Sequence, residues 1–209
     1  MKKIYVCFFF FLMFSIKLFS QETTTVYYNE EWEEVSNKDD ASYYRKAFKN
    51  KNKVWTVHDY YINKKIQMTG FYISNRLEVK LGLFIYYYEN GQKSSEGEYL
   101  NNYMEGQWSY WYESGKIKEK NYLKSGLIYS TEVFYKNGKI KYSGKFKYGK
   151  RHGKWIYWNT DGRITVEGDF KKGKRHGEWI RYFRNSKMTI NFYNGTIKNK
   201  QLGGIIRRR

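Results

Sequence analysis

A period of 23 or 24 residues is the feature that most limits what this chain can become. Between Gly82 and Tyr193 nearly the same segment recurs five times. The clearest copies are Gly153-Lys154-Trp155-Ile156-Tyr157-Trp158 and Gly177-Glu178-Trp179-Ile180-Arg181-Tyr182. They follow Gly149-Lys150-Arg151-His152 and Gly173-Lys174-Arg175-His176. Self-similarity at a fixed period means one supersecondary unit stacked on copies of itself. A surface repeated in this way binds or scaffolds.

Aligning the copies assigns a task to each position. One column reads Phe84, Trp108, Thr131, Trp155, Trp179; three residues on it reads Tyr87, Trp111, Phe134, Trp158, Tyr182. Tyr86, Tyr110 and Tyr157 stand between these columns, so aromatic side chains fall on both faces of a strand. A turn follows, as Glu89-Asn90-Gly91, Glu113-Ser114-Gly115, Lys136-Asn137-Gly138 and Thr160-Asp161-Gly162. Glycine there supplies the positive φ that a tight hairpin needs. The return segment alternates, with Ile164, Val166, Gly168 and Phe170 on one face and Arg163, Thr165, Glu167 and Asp169 on the other. Period-two alternation is a strand with one buried face. A glycine column (Gly97, Gly144, Gly168) predicts that an aromatic ring from a neighbouring strand lies across the backbone. A loop such as Lys171 to His176 then leads to the next copy. The expected fold is all-β: an elongated antiparallel meander of stacked β-hairpin repeats.

The flanks divide the chain further. Residues 57–195 read as about six copies, the first degenerate: Ile66, Met68, Gly70 and Tyr72 match the return strand and Val57 to Tyr61 the first. Residues 21–56 form an extension with a hairpin flanking a Lys/Asn turn, preceded by an acidic segment from Glu22 to Asp40 that reads as either a short strand or a flexible lead-in, and 196–209 a basic tail. Residues 1–20 have the layout of a secretory signal peptide: Met1-Lys2-Lys3, an apolar run from Ile4 to Ile16, and Ser20 before Gln21. As a helix that run reaches about 20 Å, short of the ~30 Å hydrocarbon core. The lone cysteine, Cys7, lies inside it, so a chain cut near Ser20-Gln21 has no thiol for a disulfide, a thiolate nucleophile or a metal. Export to the periplasm or cell surface is the expectation.

The pattern Gly-x-Trp, Asp-Gly, Gly-x-Phe, Gly-Lys-x-x-Gly resembles the MORN repeat. The segment Tyr142-Ser143-Gly144-Lys145-Phe146-Lys147-Tyr148-Gly149-Lys150-Arg151-His152-Gly153 is most similar, and Val166 to Trp179 nearly matches it. Signature positions are Gly106, Trp108, Trp111 and Gly115 in one copy, Gly153, Trp155, Trp158 and Gly162 in another, and Gly177 and Trp179 in a third. The added Trp-x-Tyr-Trp strand resembles the bacterial MORN-variant branch, whose members are often labelled antitoxin components. The resemblance covers residues 57–195 and implies a binding or scaffolding array, with membrane lipids or proteins as partners.

No enzyme is expected. His152 and His176 share one repeat position, which a turn role explains, and no acid pair, nucleophile elbow or phosphate loop stands out. No metal set or cofactor motif accompanies them. The net charge of +19 favours anionic partners, although Lys-, Asn-, Ile- and Tyr-rich coding yields the same balance. Equivalent loops lie about 9.6 Å apart, which would line up Lys150 and Arg151 with Lys174 and Arg175 as a basic edge. A protein partner, an anionic membrane lipid or an envelope polymer would suit that edge; the alternative is a row of charge that keeps the edge soluble. Nucleic acid is not expected, since the aromatics occupy packing positions. Aromatic character on both faces suggests that another part of the chain or a second copy covers one of them, the latter making a homo-oligomer. The runner-up reading is an antitoxin-like protein that neutralises a protein toxin by direct binding.

Overall fold

The computed structural model describes residues 23–49, 54–73 and 76–203; the signal-peptide reading of residues 1–20 lies outside them. Two kinds of turn set the architecture. At the first, the Tyr88 N–H donates to the Gln92 carbonyl (2.8 Å) and the Gly91 N–H to the Tyr88 carbonyl (2.9 Å). Gly91 has a φ of +86° while Asn90 does not turn left-handed. This is a three-residue hairpin, a type I turn closed by a left-handed residue. Gly115, Gly138 and Gly162 repeat both bonds. The second turn has two residues, both at positive φ, as in Tyr148-Gly149 and Lys172-Gly173. That is the type I′ geometry whose twist matches the strands it joins.

The strands are β1 (Thr23–Tyr28), β2 (Glu34–Val35), β3 (Tyr43–Lys49), β4 (Trp55–Tyr61), β5 (Ile66–Tyr72) and β6 (Gly82–Tyr87). They continue as β7 (Lys93–Leu100), β8 (Tyr103–Trp111), β9 (Ile117–Lys124), β10 (Leu127–Phe134) and β11 (Ile140–Lys147). The last are β12 (Lys150–Trp158), β13 (Ile164–Lys171), β14 (Lys174–Tyr182), β15 (Lys187–Tyr193) and β16 (Thr196–Gly203). All sixteen form one open sheet in chain order, except that β1 lies between β3 and β2. Every pairing is antiparallel. The expected meander is therefore present, and three boundaries differ from the sequence reading. The six-residue loop at Lys171 to His176 shrinks to Lys172-Gly173, because the flanking residues pair as Lys171↔Lys174 and Phe170↔Arg175. Residues 196–203, read as a tail, form β16 against β15. The acidic lead-in supplies β1, β2 and a 3₁₀ turn at Lys38–Asp40.

One face of the sheet holds the core. A Cβ built on Gly97, Gly144 or Gly168 would fall inside the indole of Trp108, Trp155 or Trp179, and one on Gly70 inside the Phe84 ring. The glycine column therefore does what its spacing predicted: each aromatic lies flat on the backbone of the hairpin before it. The indole N–H groups then reach the carbonyls of Glu98 (3.0 Å), Lys145 (3.1 Å) and Asp169 (2.9 Å). Between successive indoles stand edge-on rings; Phe170 meets Trp155 at 76° and Trp179 at 89°. Edge-to-face contacts suit the ring quadrupole. The three indoles are buried to 2% exposure or less, although the sheet is a single layer among the described residues.

Along the opposite edge each unit is tied to the next by a tyrosine. The hydroxyls of Tyr61, Tyr88, Tyr112 and Tyr135 donate to the carbonyls of Tyr87, Trp111, Phe134 and Trp158, at 2.7 to 2.8 Å. The fifth position is Asn159, which instead accepts from the Asp161 and Arg163 N–H groups of its own turn. Tyr135→Phe removes one bond and leaves the Trp158 carbonyl without it. The expected loss is about 1 kcal/mol in urea denaturation, whereas Phe183→Tyr, at the end of the column, is expected to change little.

Candidate functional site

The four residues of the expected basic edge occupy the first two places of β12 and β14, and they do not act alike. Arg151 pairs opposite Phe146 and Arg175 opposite Phe170, which turns both towards the aromatic face. Their guanidinium carbons stand 4.5 Å from the centroids of Trp155 and Trp179. Lys80 does the same in an earlier unit, 4.7 Å from the Tyr99 centroid and 5.2 Å from Phe84, and burial lowers its pKa. Met104 and Ile128 fill this position where it carries no cation. Arg151 and Arg175 are thus lids on the indole ladder, held by cation–π attraction. Lys150 and Lys174 remain at the edge, each against the glycine of the following turn, Gly173 and Gly195. The expected ladder of four equivalent cations splits into two lids and two edge lysines.

The third unit departs from its neighbours. It has Thr131 where the others have an aromatic, and β9 of the unit before it has Asn121 where the other return strands have glycine. The two changes belong together: without a ring to lie on the backbone, a side chain is tolerated there. Thr131 and Asn121 pair directly and are both buried. Asn121 Nδ2 donates to Glu119 (2.8 Å), while its Oδ1 is buried without a partner. The aromatic core consequently divides into one cluster ending at Trp108 and Leu123 and another beginning at Trp155.

The third unit is also one residue shorter before that position. In β12 two extra residues separate His152, opposite Lys145, from Trp155, opposite Gly144. In β10 Tyr129 alone is bulged, between Ile128 and Ser130. The change reaches the type I′ turns. The N–H groups of Gly126, Gly173 and Gly195 donate to the carbonyls of Met104, Arg151 and Arg175, at 2.8 to 2.9 Å, zipping each turn to the unit before it. Among the described residues no such bond joins Gly149 to Ile128, and a Cβ on Gly149 would meet nothing within 4 Å. The turn edge is notched between Gly126 and Gly149.

Apolar side chains gather at this notch. Tyr148 is 86% exposed, Leu127 63%, Tyr103 61% and Tyr129 58%, with Leu100 and Tyr122 beside them. Tyr103 Cδ1 lies 3.3 Å from the Gly126 Cβ position, so the cluster spans adjacent turns. Lys150, Lys172 and Lys174 continue the same edge with positive charge. The exposed apolar patch thus borders a row of positive charge. Nothing in it resembles a reaction centre, and among the described residues no three His, Cys, Asp or Glu side chains converge as for a metal.

A family model, the MORN repeat variant, matches residues 80–101 and 104–124. These are β6–β7 and most of β8–β9, two adjacent units on the N-terminal side of the notch. No curated protein matches the chain. MORN repeats often mediate binding or scaffolding. The match falls on earlier copies than the segments Tyr142 to Gly153 and Val166 to Trp179, whose sequences carry the resemblance described above. In both places the glycine and aromatic columns form the same contacts, Gly97 with Trp108 and Gly168 with Trp179.

The sequence reading missed the notch residues because it aligned columns and did not weigh a missing one. The available signal was the interval from Trp108 to Thr131, 23 residues where the other intervals are 24. His152 and His176, assigned to turns, sit inside strands opposite Lys145 and Asp169, and His176 Nδ1 is buried without a partner.

On the face away from the indoles, Glu167 accepts from Lys154 (2.7 Å) and from the Tyr182 hydroxyl (2.6 Å). The Lys154 and then the Tyr182 hydrogen bond hold the Glu167 carboxyl below its usual pKa, and the bond to Glu167 pushes Tyr182 up to about 12. The depressed carboxyl stabilises the fold above about pH 4.5 and loses that effect as pH falls through its lowered value. The raised phenol stabilises it below pH 10 and loses that effect as pH rises towards 12. Glu167→Gln is therefore expected to flatten the stability profile at both ends, read as thermal midpoint against pH.

Proposed function

We propose that this chain is a non-catalytic binding and scaffolding module of the cell envelope, docking a protein partner through the notch in its turn edge. The observation that carries the reading is the gathering of exposed Tyr103, Leu127, Tyr129 and Tyr148 where the repeat is interrupted. Exposed aromatic and aliphatic side chains are the usual anchors of protein interfaces. The lysines next to them favour a partner with an acidic rim, which raises the association rate more than the affinity. Export rests on the leader-like sequence before Gln21.

A photoreactive phenylalanine analogue at position 148, with a control at Asn137 on the opposite turn edge, tests the surface in the source cells. A discrete protein adduct from 148 that is lost in Tyr129→Asp and absent from 137 supports the reading. Adducts equal at both positions would refute it. Pelleting with anionic phospholipid vesicles, abolished by Lys150→Glu with Lys174→Glu, would move the partner from protein to lipid. Fractionation with intact mass decides the compartment: a chain beginning at Gln21 in the periplasm or membrane fits, whereas an uncut cytosolic chain favours the antitoxin-like role.

A further inference from the structure

The two ends of the open sheet carry opposite charge. From Thr23 to Asp40 the exposed ionisable side chains are Glu30, Glu31, Glu33, Glu34, Asp39 and Asp40 against Lys38, a net −5. From Arg184 to Gly203 they are Arg184, Lys187, Lys198 and Lys200 with no acid, a net +4. We propose that these ends are complementary, and that the chain assembles head to tail, β16 of one copy adding to the acidic β2 end of a second copy.

Backbone geometry makes the contact available. Among the described residues β16 pairs with β15 and with nothing on its other side, and Thr196 to Leu202 are exposed on both faces. Its outer N–H and C=O groups form an open ladder, a ready template for another strand. The strand count then sets polarity. Neighbours alternate in direction and there are sixteen, so the end strands β16 and β2 run in opposite senses. A second copy added with its faces and orientation unchanged therefore places the two-residue β2 antiparallel to β16, a short backbone contact that leaves the opposite charges to supply most of the attraction.

The acidic end is built rigidly enough to receive it. Asn29 Oδ1 accepts from the Glu31 and Glu33 N–H groups (3.1 and 2.8 Å), which fixes the loop between β1 and β2. Trp32, held at a φ of +64°, stacks on Tyr43 at 4.6 Å between ring centroids. The loop's glutamates are exposed, Glu33 also accepting from Asn29 Nδ2 (3.1 Å), while a stacked aromatic anchors it.

Charge decides between the two modes of self-association. A symmetric contact of β16 with β16 is also antiparallel, but it sets Lys198 and Lys200 against their own copies. A symmetric contact of β2 with β2 sets Glu34 near its own copy and brings the two loops that carry Glu30, Glu31 and Glu33 together. Like charges facing across a strand pair are destabilising, so the head-to-tail mode is the favoured one. Such a heterologous contact does not close on itself unless the rotation per copy closes a ring, and it generates filaments or rings. It is independent of what the notch binds, because it uses the two ends of the sheet and not the turn edge.

Sedimentation velocity of the protein as isolated, over a range of concentrations and at 50 mM and 1 M salt, reads the assembly directly. The expected result is a weight-average mass that rises with concentration at low salt and falls at high salt, as the Debye length contracts to about 3 Å. Lys198→Glu with Lys200→Glu, and separately Glu31→Lys with Glu33→Lys, are each expected to shift the association midpoint at least about tenfold, from the sum of several weak charge pairs. An equimolar mixture of the two variants is expected to form heterodimers that neither forms alone, because the unchanged acidic end of the first variant meets the unchanged basic end of the second. Misfolded variants cannot complement one another, so heterodimer formation also controls for folding. A wild-type chain that stays monomeric at every concentration, variants that assemble as well as wild type, or a mixture that forms no heterodimer would each overturn the proposal.

Discussion

Gly144→Ala is expected to remove about 3 kcal/mol of folding stability, at the upper end for a single added methyl. The new Cβ would fall inside the Trp155 indole, which rests on the backbone of β11 and is held there by its bond to the Lys145 carbonyl and by Arg151 above. Overpacking of this kind usually costs about 1–3 kcal/mol, and this ring has little room to move. Trp155→Ala is expected to cost about 3–5 kcal/mol through the cavity it leaves. The junction of the second and third units contains the compensated pair already, Asn121 with Thr131. Transplanting it as Gly144→Asn with Trp155→Thr should therefore cost less than the two single changes together, by about 1–3 kcal/mol of coupling. Urea denaturation of the four proteins completes the cycle. Strict additivity would mean that glycine is not there to seat the ring.

The second large effect is expected at Asp59. The residue is 2% exposed and its carboxylate takes two bonds from Arg45, Nε to Oδ1 at 2.7 Å and Nη2 to Oδ2 at 2.8 Å. The rings of Tyr28 and Tyr72 lie 5.5 and 5.8 Å from the guanidinium carbon. Burial on its own would lower the Arg45 pKa, but the hydrogen bonds and charge of Asp59 outweigh it and the value is raised. Burial pushes Tyr72 up to about 12, so the phenol supplies no second anion near neutral pH. Asp59→Ala leaves a desolvated cation without its partner and is expected to cost about 3–5 kcal/mol. Adding Arg45→Met to that variant should recover most of the loss, since removing both charges is far milder than removing one. If the double variant is no more stable than Asp59→Ala, the cavity and not the stranded charge sets the cost.

Much of the fold was legible from the sequence because its strongest devices are local and repeated. Asn137-Gly138 and Asp161-Gly162 announce hairpins by themselves, and Gly144 and Gly168, 24 residues apart, can be read as seats for a ring. The candidate site was less legible for a physical reason. An arginine that caps an indole and an arginine in water occupy the same letter, and Arg151 and Arg175 show their difference from Lys150 and Lys174 only when strand parity places them. The notch depends on something missing, one residue before Thr131 and one ring at it. The β16 strand, Thr196-Ile197-Lys198-Asn199-Lys200, has weak alternation and exposure on both faces, so composition marked it as a tail. Its structure comes from the ladder that β15 offers.

The interruption at the third unit is the point on which both the divided core and the notch depend, and native-state hydrogen exchange measures it directly. Amides exchange fastest where local opening is least opposed by packing. Amides of β10 around Ser130 to Val133 are expected to exchange faster than their counterparts in β8, β12 and β14, where an indole lies on the preceding strand. Uniform protection along the array, or greatest protection at β10, would contradict the division of the ladder at Asn121 and Thr131.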